Sequence, residues 1–229
     1  MVATDAPVVD ARLALNRLRE GNRRFAAGSC NVQELASNER LLMAKNQNPF
    51  AIILGCSDSR VPAELVFDQG LGDLFVIRVA GNIVAPSQIG SVEFAAATFS
   101  TQLVVVLGHS NCGVIKASID SLRSEPGLVS RTLSSIVDRV TPALSPLMTA
   151  YPDDDHALIS AATRTNVLAS VDQLRGGSDI LAGLMDEGKL VIVGAHYSLE
   201  TGEVDFFGHA DHCRPDVKVR RSDTVPAKQ

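Results

Sequence analysis

Phe50-Ala51-Ile52-Ile53-Leu54-Gly55 runs directly into Cys56-Ser57-Asp58-Ser59-Arg60, and this stretch decides the fold. Six residues without polar alternation are typical of a strand buried on both faces of a sheet. Leu103–Gly108 repeats the arrangement, because His109-Ser110-Asn111-Cys112 follows it at once. Each run therefore predicts a buried strand that ends in polar, chemically active side chains.

Outward from these segments, strand-like and helix-like patterns alternate. Two further apolar runs, Leu74–Val79 and Leu190–Gly194, predict strands. Helical patterns cover Ser91–Ser100, Gly113–Leu122 and a region from about Ser130 to Glu187 that we expect Pro142, Pro146 and Pro152 to interrupt. Such alternation predicts a parallel sheet with helices on both faces. Glu203–Phe207 follows the short turn at 200–202, so it should pair antiparallel with the strand before it. The predicted class is therefore α/β, with four mostly parallel strands and one antiparallel edge strand.

The chain divides into three predicted parts. Residues 1–46 contain an amphipathic helix over 9–27 and a second over Val32–Lys45, which together form an N-terminal helical arm. Residues 47–213 form the α/β catalytic domain, and residues 214–229 form a polar tail with two prolines. A chain of 229 residues suits one compact domain with such an arm.

Composition excludes several classes of partner. The formal net charge of −5 disfavours a nucleic-acid or anionic membrane surface as the main partner. No run reaches the roughly 18–20 apolar residues of a membrane helix, and the N-terminus lacks the pattern of a secretory signal, so we expect a cytoplasmic protein. Four cysteines in a chain of this length do not indicate a disulfide scaffold.

The residues after the two central strands predict a metal site. Cys56, His109 and Cys112 offer two thiolates and one imidazole, which suit Zn²⁺ better than a hard cation. Ligands of open α/β sheets bind beyond the carboxyl ends of the strands, where these residues should meet. Three protein ligands leave the fourth position of a zinc site open, as in catalytic rather than structural zinc sites.

Asp58 and Arg60 lie beside this predicted site in sequence. An arginine can hold a carboxylate through two hydrogen bonds and favours its ionised form. Asp58 could then accept a hydrogen bond from metal-bound water, or it could itself be the fourth ligand in a closed state. The spacing alone does not choose between these two states.

Three segments together resemble the β-class carbonic anhydrases. They are Cys56-Ser57-Asp58-Ser59-Arg60-Val61-Pro62-Ala63-Glu64, Gly72-Asp73-Leu74-Phe75-Val76-Ile77-Arg78 and Gly108-His109-Ser110-Asn111-Cys112-Gly113. The resemblance extends from about Leu18 to Gly208 in the family's order and spacing. A Cys-x-Asp-x-Arg segment followed by His-x-x-Cys is far more specific than either motif alone.

The resemblance implies a reaction, a cofactor and the residues of the site. It implies zinc-dependent reversible hydration of CO₂ to bicarbonate and a proton, with one Zn²⁺ per subunit on Cys56, His109 and Cys112. Asp58 and Arg60 would be the catalytic pair that controls the zinc-bound water. The family also implies a homodimer or homotetramer in which the N-terminal arm embraces a second subunit. Its substrate-binding positions match a different set of residues here: Gln47, Phe75 and Gly113.

Two departures from the family pattern bear on substrate and regulation. Phe94 stands after Glu93 where many members have tyrosine, which removes a hydroxyl. Ile53 stands where the bicarbonate-regulated subgroup has tryptophan, although Arg78 and Tyr197 match that subgroup. A pocket without the indole N–H donor should bind an anion less well, so we expect no bicarbonate inhibition.

Three other functions remain to be weighed. A hydrolase of CS₂ or COS would use the same zinc site with different access to it. A non-enzymatic zinc or bicarbonate sensor would keep Asp58 on the metal. A nucleotide-binding module is disfavoured, because no Gly-x-Gly-x-x-Gly or Walker sequence follows a strand.

Overall fold

The computed structural model describes residues 8–31, 43–44, 46–123, 130–151 and 155–208. These contain a five-stranded sheet of β1 (Ala51–Gly55), β2 (Leu74–Arg78), β3 (Leu103–His109), β4 (Val191–Tyr197) and β5 (Val204–Phe207). The spatial order is β2-β1-β3-β4-β5. All pairs are parallel except β4–β5, which is antiparallel. The predicted fold class is confirmed.

Helices surround the sheet in the described part of the chain. They are α1 (Ala11–Ala26), α2 (Ala63–Val66), α3 (Pro86–Phe99), α4 (Gly113–Leu122), α5 (Arg131–Ala150), α6 (Asp155–Gly176) and α7 (Asp179–Asp186). A single 3₁₀ turn, Ala80–Asn82, follows β2. None of these helices is both long enough and apolar enough to cross a membrane. Three predicted features lie outside the described residues: Pro152, the tail from residue 214, and the helix over Val32–Lys45. Of that helix, the structure describes only residues 43 and 44.

The prediction that Pro142 and Pro146 interrupt the helical region was wrong, because both lie inside α5. A proline removes one helical N–H and costs an isolated helix about 3 kcal/mol. These two residues are four apart and both exposed, so they share the outer face of α5, where water can hydrate the carbonyls left without a partner. The buried face, with Val140 and Leu144, holds the helix against its neighbours.

Several elements are longer than their sequence patterns predicted. Helix α3 begins at Pro86 rather than at residue 91, because proline is well tolerated in the first turn. Strand β4 continues to Tyr197, which lies opposite His109 in the parallel register with β3. Backbone pairing thus carries β3 and β4 beyond their apolar runs and makes His109 the last residue of its strand.

Alternating side chains of the central strands fill two apolar layers. Ile53, Val105 and Val193 face the side covered by α1 and α2. Ile52, Val104 and other residues of the same strands face the side where Val92 of α3, Val167 of α6 and Leu181 of α7 pack. Because β1 and β3 are buried on both faces, their carboxyl ends are held rigidly where the polar segments begin.

Helix α1 approaches the end of α2 very closely. Its N-cap residue Asp10 accepts a hydrogen bond from the backbone N–H of Arg12 at 2.9 Å. Asn22 donates to the carbonyls of Val66 at 3.1 Å and Gly202 at 2.9 Å. A Cβ added at Gly21 would lie 1.8 Å from the carbonyl oxygen of Phe67.

Replacing Gly21 with alanine should therefore destabilise the fold, although alanine favours a helix by about 1 kcal/mol. The forced shift of α1 should cost more than that gain, and we expect a net loss of about 2 kcal/mol of unfolding free energy in urea titrations. Gly183, which lies in α7 and where an added Cβ would meet nothing within 4 Å, is the matched control. Gly183→Ala should be neutral or stabilising. Equal midpoints for Gly21→Ala and the wild type would contradict the close packing of α1.

Candidate metal centre

Three potential ligands converge beyond the ends of β1 and β3. Cys56 follows the last residue of β1, His109 ends β3, and Cys112 is the residue immediately before α4. Their ligand atoms all lie within 4.8 Å of one another. The three residues are buried, with exposed fractions of 5%, 0% and 3% in that order. The structure therefore brings together the triad predicted from the sequence.

The hydrogen bonding of His109 leaves one nitrogen for a metal. Nδ1 lies 2.8 Å from the backbone carbonyl oxygen of Ser110, so Nδ1 carries the hydrogen and Nε2 keeps its lone pair. Nε2 is fully buried and has no hydrogen-bond partner among the described residues. A buried nitrogen without a partner is unfavourable unless something binds it, and a backbone carbonyl on Nδ1 is the usual support of a metal-binding histidine.

The side chains of Cys56 and Cys112 shift each other's pKa in opposite directions. The hydrogen bond from Cys112 holds the pKa of Cys56 below its usual range, despite its burial. The same contact raises the pKa of Cys112, because a second thiolate would sit beside the first in a buried place. A divalent cation between the sulfurs would remove this repulsion and displace the proton, so the donor set fits a thiolate-binding metal such as zinc.

Asp58 and Arg60 form the predicted two-point ion pair. Arg60 donates from Nε to Oδ1 of Asp58 at 2.9 Å and from a terminal nitrogen to Oδ2 at 2.8 Å. The backbone N–H of Arg60 adds a third bond to Oδ1 at 3.0 Å. These hydrogen bonds from Arg60 hold the pKa of Asp58 well below its usual range. Oδ2 of Asp58 also lies 3.9 Å from Nε2 of His109, so the carboxylate borders the triad.

A second group of contacts fixes the Cys56 segment. Arg78 donates to the carbonyl oxygens of Cys56 at 3.0 Å and Asp58 at 2.6 Å. The backbone N–H of Gly81 donates to the sulfur of Cys56 at 3.3 Å. Gly81 has φ of +71°, and an added Cβ would lie 2.7 Å from Val114, so this turn requires glycine.

The sequence did not predict the contacts that hold the other two ligands. Glu200, in the turn between β4 and β5, accepts hydrogen bonds from Oγ of Ser110 and Nδ2 of Asn111, each at 2.8 Å. The hydrogen bond from Ser110 lowers the pKa of Glu200. Because Glu200 lies 90 residues from Ser110, no local pattern could have revealed the contact; the polar turn at 198–201 was its only signal.

The predicted substrate-binding residues lie in two places. Gly113 is the first residue of α4, directly after Cys112. Gln47 is exposed and precedes β1, at the opposite end of that strand from Cys56. Phe75 pairs with Ile52 near the start of β1 and packs against Phe94 at 6.2 Å between ring centroids. Within one chain, the structure therefore does not bring Gln47 or Phe75 to the triad.

The two positions that depart from the family pattern, Phe94 and Ile53, differ in exposure. Phe94 is 54% exposed on α3, next to the edge strand β2. Ile53 is a fully buried residue of β1, in the apolar layer on the side covered by α1. Arg78, which matches the regulated subgroup, donates its hydrogen bonds to the carbonyl oxygens of Cys56 and Asp58.

A mostly parallel sheet whose strand ends gather two cysteines and one histidine defines an α/β protein with three side chains that could together hold one metal ion. The sequence profile of the carbonic anhydrase family matches residues 51–204. A carbonic anhydrase of Mycolicibacterium smegmatis is 36% identical over 196 residues, covering 86% of this chain and 93% of the relative. Carbonic anhydrase 2 of Mycobacterium tuberculosis is 33% identical over 204 residues, covering 89% and 96%.

A solved structure extends the comparison to the fold. The β-carbonic anhydrase CcaA superposes with a TM-score of 0.67 at 28% identity, covering 86% of this chain and 97% of that one. The chain belongs to the β-class carbonic anhydrase family.

Proposed function

We propose that this protein is a zinc-dependent carbonic anhydrase that interconverts CO₂ with bicarbonate and a proton. One observation carries the proposal: the unpartnered Nε2 of His109 lies among two buried sulfurs and beside the Arg60-held carboxylate of Asp58. Membership in the β-class family supports it, as does the name of each relative compared above.

Cys56, His109 and Cys112 would hold one Zn²⁺ per subunit. When bound, zinc lowers the pKa of a water ligand from about 15.7 toward about 7, which supplies hydroxide near neutral pH. Two thiolates give the site more negative charge than three imidazoles would, so we expect activity to be greater at alkaline pH. The three ligand side chains are buried, so they would shield a bound ion from bulk water on the side that they cover.

Asp58 has the geometry to orient the attacking oxygen. Its two carboxylate oxygens accept three hydrogen bonds from Arg60, which keep it ionised and fix its direction. Oδ1 accepts two of these bonds and Oδ2 only one, so Oδ2 still has a lone pair with which it can accept a hydrogen bond from the attacking water or hydroxide. The attack would form a new C–O bond to CO₂ as one C=O π bond opens onto oxygen, so that the product is bicarbonate. The proton lost by the attacking water passes to solvent. In this proposal Arg60 keeps Asp58 away from the metal during turnover.

We further propose that the substrate cleft is shared between two subunits of a homodimer or a larger assembly. Gln47 and Phe75 lie at the other end of β1 from their own triad, and Phe94 is exposed beside Phe75. A second copy that packs against this edge of the sheet could place these side chains over its partner's metal centre. Gly113 would serve the site of its own chain.

Assays with CO₂ and with CS₂ test the choice of substrate. We expect rapid CO₂ hydration that a chelator abolishes and added Zn²⁺ restores, and little CS₂ hydrolysis. The initial rates of CO₂ hydration and CS₂ hydrolysis are compared at equal substrate concentration. Fast CS₂ hydrolysis without CO₂ hydration would favour the alternative hydrolase. Bound zinc with no turnover of either substrate would favour a sensor.

A further inference from the structure

We infer that Glu200 is a positioning residue for the metal centre, an inference that rests on the proposed metal site. Glu200 does not touch any of the three candidate ligands. It acts through Ser110 and Asn111, the two residues that connect His109 to Cys112. This carboxylate therefore sets the distance and direction between the imidazole and the second thiolate.

Ser110 is held by three hydrogen bonds from the β4–β5 region. Its N–H donates to the carbonyl of Tyr197 at 2.9 Å, and its Oγ accepts from the N–H of Leu199 at 2.9 Å. The same Oγ donates to Glu200 at 2.8 Å. The carbonyl of Ser110 in turn meets Nδ1 of His109 at 2.8 Å. Movement of Ser110 would therefore rotate the imidazole and redirect its Nε2 lone pair.

Asn111 needs its contact with Glu200 for a different reason. Its backbone has φ of +56°, a left-handed conformation that is uncommon outside glycine, although asparagine tolerates it best. The side-chain amide donates to Oε1 of Glu200 at 2.8 Å, which stabilises this conformation. The turn is needed because the chain must reverse between the end of β3 and the start of α4 to bring Cys112 back to His109.

The same turn reaches the Asp58–Arg60 pair. The carbonyl oxygen of Asn111 lies 3.5 Å from a terminal nitrogen of Arg60, the limit of a hydrogen bond. Glu200 thus holds the turn that joins His109 to Cys112, and the carbonyl of that turn reaches the arginine that orients Asp58. Its own carboxylate is further fixed by Ser198, whose Oγ donates to Oε2 at 3.2 Å.

Glu200→Ala tests this role in the full-length protein. We expect zinc affinity, measured by competition with a chromogenic chelator, to fall about tenfold, as for other groups that orient metal ligands. The absorption spectrum of the Co²⁺-substituted protein should also change, because it reports ligand geometry. Glu200→Gln keeps one accepting oxygen and should give an intermediate loss. Glu203→Ala is the matched control, since Glu203 is an exposed glutamate of the same β4–β5 connection.

The outcomes separate this inference from the proposed function. Wild-type affinity and an unchanged Co²⁺ spectrum in Glu200→Ala would overturn the inference while leaving the metal site intact. A lowered urea midpoint with unchanged affinity would also overturn it, because Glu200 would then only stabilise the fold. A wild-type protein that binds neither metal would overturn both proposals. Neither measurement requires CO₂ turnover.

Discussion

Cys56→Ser should release the metal and reduce CO₂ hydration to the uncatalysed rate. A serine hydroxyl stays protonated at neutral pH and is a poor zinc ligand, so only His109 and Cys112 would remain. Metal analysis after dialysis against a chelator should find about one zinc per wild-type chain and almost none in the variant.

Cys30→Ser is the control for the loss of a thiol. Cys30 is exposed and lies outside the triad, so its replacement should leave zinc content and activity at wild-type levels. Circular dichroism of Cys56→Ser should retain the helix and strand signal, because the core layers beneath the site do not depend on the sulfur. A Cys56→Ser protein with full zinc content would refute the ligand assignment.

The strands and the triad could be predicted from sequence for the same physical reason. Leu103–Leu107 and Ile52–Leu54 are fully buried, and segments that need burial on both faces have few alternatives to a central parallel strand. Parallel strands end at a common edge, so Cys56 and His109 had to meet there. The predicted fold class and the predicted convergence of the triad followed from this one constraint.

The supporting contacts could not be predicted, because they join residues distant in sequence. Glu200 reaches Ser110 across 90 positions, and Arg78 reaches Cys56 across 22. Glu200 has no pattern in the sequence that distinguishes it from an exposed charge, and the family resemblance marked Arg78 without indicating which groups it contacts. The helical region was misjudged for a related reason. Pro142 and Pro146 break a helix only when nothing else holds it, and the buried face of α5 does so here.

A single chain does not show how Gln47 and Phe75 could reach a metal site. The resemblance assigned Gln47 and Phe75 to substrate binding. Gln47 nevertheless precedes β1, and Phe75 pairs with Ile52 near the start of β1, at the opposite end of that strand from Cys56. The discrepancy disappears if each chain contributes to its neighbour's cleft. Phe94, exposed beside Phe75, would then line the partner's site with an apolar ring that has no hydroxyl.

Asp58→Ala should separate catalysis from metal binding. Asp58 is not needed to complete the triad, so zinc content should stay near one per chain. Without the carboxylate, nothing in the described site orients the attacking oxygen, and Arg60 loses the partner that accepts three of its hydrogen bonds. We expect kcat/KM for CO₂ to fall by about 10²–10³-fold, the usual effect of removing one such oriented group.

Asp155→Ala is the matched control, because Asp155 also pairs with an arginine, Arg123 at 2.6 Å, but lies on α6 away from the triad. It should retain nearly full activity, since an exposed ion pair contributes little to stability. Stopped-flow hydration assays on both variants, with zinc content measured on the same samples, give the comparison. If Asp58→Ala loses its zinc, the carboxylate is a ligand and the site is closed at rest. If it keeps both zinc and activity, the attacking oxygen is oriented by another group.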